Sequence, residues 1–363
     1  MTRSAEVTPA SLRARIDRLP RHHLAALPTP CEELPRLAAQ IGVTSFRLKR
    51  DDLTGLGLGG NKSRTMEFVI GEAIDQGCDT LIAGGGVEQS NHARQCVAAA
   101  TRAGMDAVVV LQRRQSGFRS NGNLLALQLL GGRIRWVDGD PALQDRLAAR
   151  QQMDQVAAEL RASGHRPYTL ASSLHPLGVV AYVQAALELA SELGDEHCRI
   201  YATSEGAVLG GLCLAARSLG LDWEIVGVDW RPTQPGTQQR LAAVVSEAAA
   251  LLQLETRVPP TDLRILDAGG PAYGEGSSAS WAALDLLARL EGVLLDPVYT
   301  AKGMAGALAD LQRHPARTDT VVFVHTGGTP ALFAYEPEIT RHVLERRRPD
   351  VVASPAMDPE TPL

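Results

Sequence analysis

A chain of 363 residues that is 45% hydrophobic and 21% charged has too much apolar content for a largely disordered protein. Its length suits two domains or one large α/β body rather than a single minimal core. The net charge of −5, from 36 basic and 41 acidic residues, argues against nucleic acid or an anionic membrane as the main partner.

The N-terminus and the cysteines indicate a cytoplasmic protein. We expect no secretory signal, because no apolar run follows the basic residues of positions 1–15. No apolar stretch is long enough to span a bilayer. The five cysteines are widely spaced and contain no Cys-x-x-Cys pair, which is typical of a reducing compartment without disulfides. The histidines form no metal-type pair at helical spacing, so we predict no metal site.

Apolar runs typical of β-strands alternate with longer helical patterns. The strands are predicted at 44–49, 80–83, 107–111, 134–137, 199–203, 224–229 and 320–325. The helices are predicted at 62–76, 91–103, 121–130, 141–162, 178–193, 208–219, 237–254, 278–290 and 302–313. The first twenty residues are expected to form a helix and an arm. This alternation predicts an α/β fold with parallel strands and helices on both faces.

Three lysines, Lys49, Lys62 and Lys302, are the candidates if the chemistry requires an amine. Lys62 lies in the sequence GGNKS at 59–63, at the start of a predicted helix. The positive end of the helix dipole disfavours the ammonium form, and a lysine with a lowered pKa is a nucleophile able to form a Schiff base. Lys302 is a rival at the start of a later helix. The glycines of 55–60 also match a dinucleotide fingerprint, but charged residues rather than an apolar strand precede them, so nicotinamide binding is the weaker interpretation.

A second polar cluster follows the glycines at 84–86. It consists of Gln89, Ser90, Asn91 and His92, at the start of another predicted helix. Ser90 is a candidate N-cap, and with Asn91 and exposed N–H groups it would form an anion site suited to a carboxylate. A capped helix without a ligand is the alternative. Gln89 and His92 make the cluster more polar than capping requires.

Five motifs carry a resemblance to a known family. GGNK at 59–62, QSN at 89–91, HPLG at 175–178, DPVYT at 296–300 and HTGG at 325–328 stand in the order seen in the D-cysteine desulfhydrase and 1-aminocyclopropane-1-carboxylate deaminase family. The chain resembles this family from about residue 27 to residue 335. The family belongs to the tryptophan synthase β-like, fold type II pyridoxal-phosphate enzymes.

The resemblance implies a two-domain α/β fold with parallel sheets flanked by helices. Residues 1–62 and 173–345 would form a large cofactor-binding domain, and residues 63–172 a small domain. The cofactor would lie between the two domains, and residues 346–363 would be a flexible tail. A homodimer is the assembly that the family suggests.

The resemblance also assigns roles to individual residues. Lys62 looks like the lysine that forms a Schiff base with pyridoxal 5'-phosphate, and Ser90, Tyr273 and Tyr299 would be the other catalytic side chains. Asn91 would bind the phenolic oxygen of the cofactor. The implied cofactor-binding set is Asn61, Lys62, Asn91, Ser204, Gly206, Ala207, Val208, Leu209, Gly210 and Thr300, of which Thr300 meets the pyridine nitrogen and 204–210 the phosphate. The implied substrate-binding set is Gln89, Ser90, Asn91, His92 and Tyr299.

The implied reaction is β-elimination and deamination of a small β-substituted amino acid such as D-cysteine, giving pyruvate, ammonia and sulfide. Thr300 resembles the desulfhydrase branch, because cyclopropane deaminases carry an acid there. A 1-aminocyclopropane-1-carboxylate deaminase and a lyase of another substituent, such as a sulfo-lyase, are the alternatives. Glu205, Ala207 and Thr65 depart from the family pattern near the phosphate, which leaves open a non-catalytic relative that binds an amino acid.

Overall fold

The strands form two sheets. The computed structural model describes residues 7–84, 86–113, 119–138, 146–203, 206–229, 233–268, 275–316 and 320–346. The strands in these ranges are β1 (Cys31–Glu33), β2 (Ser45–Lys49), β3 (Thr80–Gly84), β4 (Asp106–Gln112), β5 (Arg133–Val137), β6 (Pro167–Leu170), β7 (Cys198–Ala202), β8 (Trp223–Asp229), β9 (Arg264–Asp267) and β10 (Thr320–Val324). Over these residues one sheet has the order β1-β2-β10-β7-β8-β9 and the other β5-β4-β3-β6.

The predicted parallel architecture is confirmed. Neighbouring strands are parallel, apart from the antiparallel pair β1 and β2. The seven predicted strands are present, together with three that were not predicted, β1, β6 and β9. Each missed strand is three or four residues long and lies at the edge of its sheet. An edge strand is only partly buried, so its sequence lacks the apolar run that marks a central strand.

Helices cover both sheets. Their bounds are α1 (Pro9–Ile16), α2 (Pro35–Ile41), α3 (Lys62–Asp75), α4 (Asn91–Arg102), α5 (Gly122–Leu129), α6 (Arg146–Ala162), α7 (Pro176–Leu193), α8 (Ala207–Leu219), α9 (Thr237–Leu251), α10 (Ser278–Glu291), α11 (Thr300–Arg313), α12 (Thr329–Leu332) and α13 (Glu336–Arg346). The nine long helices predicted from the sequence are all present, although the predicted start of α6 at 141 lies outside the described residues. None of the helices in these ranges is long and apolar enough to cross a membrane.

Helix α7 lies at the centre of the core. It packs against α3, α8 and α9, and its residues from Leu177 to Leu189 are buried around the whole helix. One apolar cluster extends from Val109 of β4 through Phe68 of α3 to Ile200 of β7. The two sheets therefore share a continuous core, which holds α3 and α7 rigidly against each other.

Two of the loops that carry the motifs meet at one edge of the six-stranded sheet. Strands β2, β10 and β7 are adjacent and parallel, so their carboxyl ends point the same way. The backbone N–H of Asn61, in the loop after β2, donates to the carbonyl of Thr326, in the loop after β10. Ligands of open α/β sheets bind at this edge.

Candidate active site

Lys62 is the first residue of α3 and is half-buried. Two short 3-10 turns, Asp51–Leu53 and Leu56–Leu58, lead from β2 to Gly59 and Gly60. Gly60 has φ +122°, and a Cβ there would lie 2.5 Å from Nε2 of Gln95. The positive φ favours glycine, and a side chain here would press on the Gln95 side chain of α4. The Gly-Gly pair thus brings the lysine next to α4.

The N-terminus of α4 faces Lys62. Ser90 is buried, and its Oγ accepts a hydrogen bond from the Ala93 N–H at 3.2 Å, which makes it the N-cap as predicted. Burial, together with the charge of Lys62, lowers the pKa of His92 to about 3. His92 is therefore neutral over the working range of pH. Its Nδ1 lies 3.6 Å from Sγ of Cys96, whose pKa burial raises to about 12.

Lys49 is committed to a buried ion-pair network. Its Nζ lies 3.1 Å from a carboxylate oxygen of Glu188 and 3.1 Å from one of Glu192. It also donates to the backbone carbonyl of Thr29 at 2.6 Å. A lysine held in this way is a structural cation rather than a nucleophile.

Lys302 is buried in α11. Burial lowers the pKa of its ammonium group, while the charges of Glu275 and Asp296 act in the opposite direction. Of the three lysines, Lys62 is the one whose charge acts on His92 at the N-terminus of α4.

Gln89, Asn91 and Asn123 form a hydrogen-bonded group at the start of α4. The amide Nδ2 of Asn123 donates to Oδ1 of Asn91 at 2.9 Å and to the carbonyl of Gln89 at 3.0 Å. The backbone N–H of Asn123 donates to Oε1 of Gln89 at 2.9 Å. Nε2 of Gln89 in turn donates to the carbonyl of Asn121 at 3.1 Å. These bonds give Gln89 and Asn91 fixed orientations.

Thr300 and Asp296 form the start of α11. The hydroxyl of Thr300 donates to Oδ1 of Asp296 at 2.7 Å and accepts from the Asp296 N–H at 2.8 Å. Both side chains are fully buried. The carboxylate also accepts from the backbone N–H groups of Val298 and Tyr299. Burial raises the pKa of Asp296, and these hydrogen bonds oppose that rise. Tyr299 is half-buried next to this turn.

The first turn of α8 meets α3 and α7. A Cβ on Gly178 of α7 would lie 3.0 Å from Cβ of Ala207 and 3.4 Å from Oγ1 of Thr65. The N–H groups of the first helical residues have no acceptor inside a helix, so Ala207, Val208 and Leu209 direct amides out of the N-terminus. The N–H of Gly210 donates to the carbonyl of Gly206 at 3.0 Å and is part of the helix itself. Ser204 and Tyr273 lie outside the described residues.

These residues provide an amine, a helix N-terminus suited to an anion, and amides with fixed orientations. The sequence profile of the family described as "Pyridoxal-phosphate dependent enzyme" matches residues 23–327, which contain all three. The chain belongs to this family.

Relatives of this pyridoxal-phosphate-dependent enzyme cover nearly its whole length. It is 37% identical to the D-cysteine desulfhydrase of Klebsiella pneumoniae subsp. pneumoniae, over 89% of this chain and 98% of that protein. It is 36% identical to the D-cysteine desulfhydrase of Yersinia enterocolitica, over 91% of this chain and 100% of that protein. A solved structure described as an ACC deaminase homologue is 31% identical, with a TM-score of 0.82 over 92% of this chain and 99% of that chain.

The site of this pyridoxal-phosphate-dependent enzyme fits its cofactor. A half-buried amine on α3 and the first-turn amides of α8 suit the aldehyde and the phosphate. Oγ1 of Thr203, at the end of β7, is buried and has no hydrogen-bond partner among the described residues. A buried hydroxyl without a partner is costly, and a bound polar group next to it would remove that cost.

No sequence motif assigns a role to Arg94, Gln95 or Asn123. Oε1 of Gln95 accepts from the Ser63 N–H at 2.8 Å, and its Nε2 donates to the Asn91 carbonyl, so it ties α3 to α4. No local pattern distinguishes such residues from ordinary helix residues. Their function depends on partners about 30 residues away in the chain.

Proposed function

We propose that this enzyme is a lyase that eliminates the β-substituent and removes the amino group of a D-cysteine-like amino acid, giving pyruvate, ammonia and sulfide. The observation that carries the proposal is that Lys62 faces the capped N-terminus of α4, where Gln89, Ser90 and Asn91 are located. The proteins that match this chain at 36–37% identity are D-cysteine desulfhydrases.

Lys62 would hold the cofactor through Nζ. Pyridoxal phosphate supplies an electron sink for the negative charge that develops at the substrate α-carbon. When it is not bound to the cofactor, the Nζ amine of Lys62 would be placed to act as a base at the substrate α-carbon. Because His92 is neutral, it adds no positive charge next to this amine.

The N-terminus of α4 would bind the substrate carboxylate. Anions are favoured at a helix N-terminus, and Ser90 and Gln89 are buried at this position. Because Oγ of Ser90 accepts from a backbone amide, its own proton can be donated to the substrate. Tyr299 and Tyr273 would line the substrate pocket.

The remaining contacts would hold the cofactor ring and phosphate. Residues 204–210 would bind the phosphate, mainly through the first-turn amides of α8. Asn61 lies beside Lys62, and Asn91 would donate to the phenolic oxygen. Thr300 would meet the ring nitrogen; its hydroxyl is uncharged and is held in place by two hydrogen bonds with Asp296. A ring nitrogen without a carboxylate partner is less electron-withdrawing, which suits elimination of a good leaving group such as a thiol.

A 1-aminocyclopropane-1-carboxylate deaminase is the second candidate. The structural similarity to the ACC deaminase homologue favours it. It needs stronger electron withdrawal by the ring than Thr300 provides, because a carbon–carbon bond breaks instead of a bond to a thiol.

We further propose a division into two domains, a homodimer and a cytoplasmic location. Residues 63–172 would form a small domain, because the four-stranded sheet is built only from this segment. Exposed apolar side chains on adjoining elements, Leu58, Leu129 and Phe333, support a dimer surface. The five unpaired cysteines suit a reducing compartment. Sedimentation that shows only a monomer would contradict the homodimer.

The test of the proposed function is the visible absorption of the purified protein with added pyridoxal phosphate. We expect a long-wavelength band in the parent and none in Lys62→Ala or Lys62→Arg, with the band retained in Lys302→Met. D-cysteine, L-cysteine, β-chloro-D-alanine and 1-aminocyclopropane-1-carboxylate would then be compared by the keto acid released. Pyruvate with sulfide from D-cysteine supports the proposal. Turnover of only the cyclopropane substrate, to 2-oxobutyrate, would favour the second candidate, and no band in the parent would refute both.

A further inference from the structure

Arg94, Asn123 and Asn91 form a chain of hydrogen bonds that leads from the interior to the active site. We propose that Arg94 and Asn123 are positioning residues that force the Asn91 side chain to present its N–H donors, rather than its oxygen, to the phenolic oxygen of the cofactor. The inference rests on the proposed function, which places Asn91 at that oxygen.

Arg94 fixes the donor-to-acceptor direction of these hydrogen bonds, because a guanidinium can only donate. Its side chain is completely buried. Nε donates to Oδ1 of Asn123 at 2.6 Å, Nη2 donates to the carbonyl of Gly59 at 2.9 Å, and Nη1 donates to the carbonyl of Gly57. Burial lowers the pKa of Arg94 to about 10, so it remains charged at neutral pH. The partner atom on Asn123 must therefore be the oxygen.

Asn123 transmits this constraint. With Oδ1 held by Arg94, its Nδ2 has to point the other way, where it meets the Gln89 carbonyl and Oδ1 of Asn91. A backbone carbonyl only accepts, so it confirms that the nitrogen lies on this side. Both protons of Nδ2 are used, and Asn123 is completely buried. Reversing its amide would break three hydrogen bonds.

Asn91 is the last residue in this series of hydrogen bonds. Its Oδ1 accepts from Asn123, so its Nδ2 lies on the opposite side of the amide group. A donor there stabilises negative charge on the phenolic oxygen, whereas an oxygen there would repel it. The same Arg94 binds two carbonyls of the 56–60 segment, which leads into Lys62. Arg94 thus helps to position both the amine of Lys62 and the amide of Asn91.

The experiment replaces Asn123 by aspartate, which is nearly the same size but has no donor. An acceptor at position 123 requires Asn91 to turn its Nδ2 inward, which brings its oxygen toward the cofactor. Asn121→Asp is the matched control: it adds the same charge two residues away, and the side-chain oxygen of Asn121 accepts from Nε2 of Gln89, which aspartate can also do. The readout is the ratio of the long-wavelength to the short-wavelength band of bound pyridoxal phosphate, at saturating cofactor and constant pH.

We expect this ratio to fall at least about tenfold in Asn123→Asp, because the proton is drawn to the phenolic oxygen, and less than about twofold in Asn121→Asp. Equal ratios in the two variants would overturn the inference while the band in the parent preserves the proposed function. A parent without a visible band would overturn both. If Asn123→Asp does not fold, neutron diffraction of the parent holoenzyme decides: deuterons on Asn91 directed at the phenolic oxygen support the inference, and Oδ1 directed there refutes it.

Discussion

Arg64 is the centre of a buried charge network beneath Lys62, and replacing it by methionine should strongly destabilise the fold. Its guanidinium donates five hydrogen bonds of 2.7–3.0 Å, to Asp51, Glu188 and Thr29. Asp51 is fully buried and Glu188 nearly so. In Arg64→Met these two carboxylates remain in the interior, with Lys49 as the nearest cation.

The expected loss is about 3–5 kcal/mol in the free energy of unfolding at neutral pH. Five charge-assisted hydrogen bonds would sum to more than this, but the cost of removing Arg64 from water offsets much of their gain. The loss in Arg64→Met mainly reflects the cost of a buried carboxylate that no longer has a compensating positive charge. The loss is large compared with the stability of a typical domain, about 5–15 kcal/mol.

The pH dependence gives a second readout of the same network. Burial alone would raise the pKa of Asp51, but Arg64 and hydrogen bonds from Tyr182 and Thr29 lower it below the ordinary value. A lowered pKa contributes stability above the unfolded-state value, and this is lost as pH falls through the folded-state pKa. In Arg64→Met burial dominates, so the pKa rises and the carboxyl binds a proton on folding. The difference in the free energy of unfolding between Arg64→Met and the parent should therefore become smaller as the pH is lowered from about 8 to about 5.

The assay is urea unfolding followed by circular dichroism, with Arg150→Met as the control. The side chains of Arg150 and Asp154 form an ion pair at 3.5 Å but are 60% and 65% exposed. We expect Arg150→Met to change the unfolding free energy by less than about 0.5 kcal/mol. If Arg64→Met is no more destabilising than Arg150→Met, or if its penalty is independent of pH, the network does not carry the stability assigned to it.

Three further outcomes follow from the site. The pKa of His92 is about 3 in the folded protein and 6.5 ordinarily, so below pH 6.5 the unfolded chain binds one more proton than the folded protein. The free energy of unfolding should therefore fall by about 1.4 kcal/mol per pH unit below pH 6.5. In His92→Gln, urea titrations should show a pH dependence of this free energy that is smaller by one proton. Gly60→Ala should lower the melting temperature more than Gly104→Ala, because both have positive φ but only at Gly60 would the new Cβ meet Gln95, at 2.5 Å; equal losses would refute the close approach. Asp296→Asn should cost about 1–3 kcal/mol, since an amide cannot accept all four hydrogen bonds that the carboxylate receives, and an unchanged unfolding midpoint would contradict this.

The local features of the fold were predictable from the sequence. The apolar runs of the central strands and the nine long helices depend on periodicity within about twenty residues, and they are present. The edge strands β1, β6 and β9 were not predictable, because a short, half-exposed strand takes its structure from its neighbour in the sheet. In the same way, the motif residues were predictable from local sequence, whereas the residues that orient them were not.

The sequence by itself determined which chemistry is available: few lysines, a Gly-Gly-Asn-Lys segment, a capped polar helix start and glycine-rich loops after strands. The sequence did not determine which of the lysines lies where this chemistry can occur. Only the tertiary structure puts Lys49 into ion pairs, brings Lys62 against α4, and connects Arg94 to Asn91 through Asn123. The physical reason is that hydrogen bonds and ion pairs join groups by distance in space, and residues 20 to 143 positions apart come within 3.1 Å only after the shared core has packed.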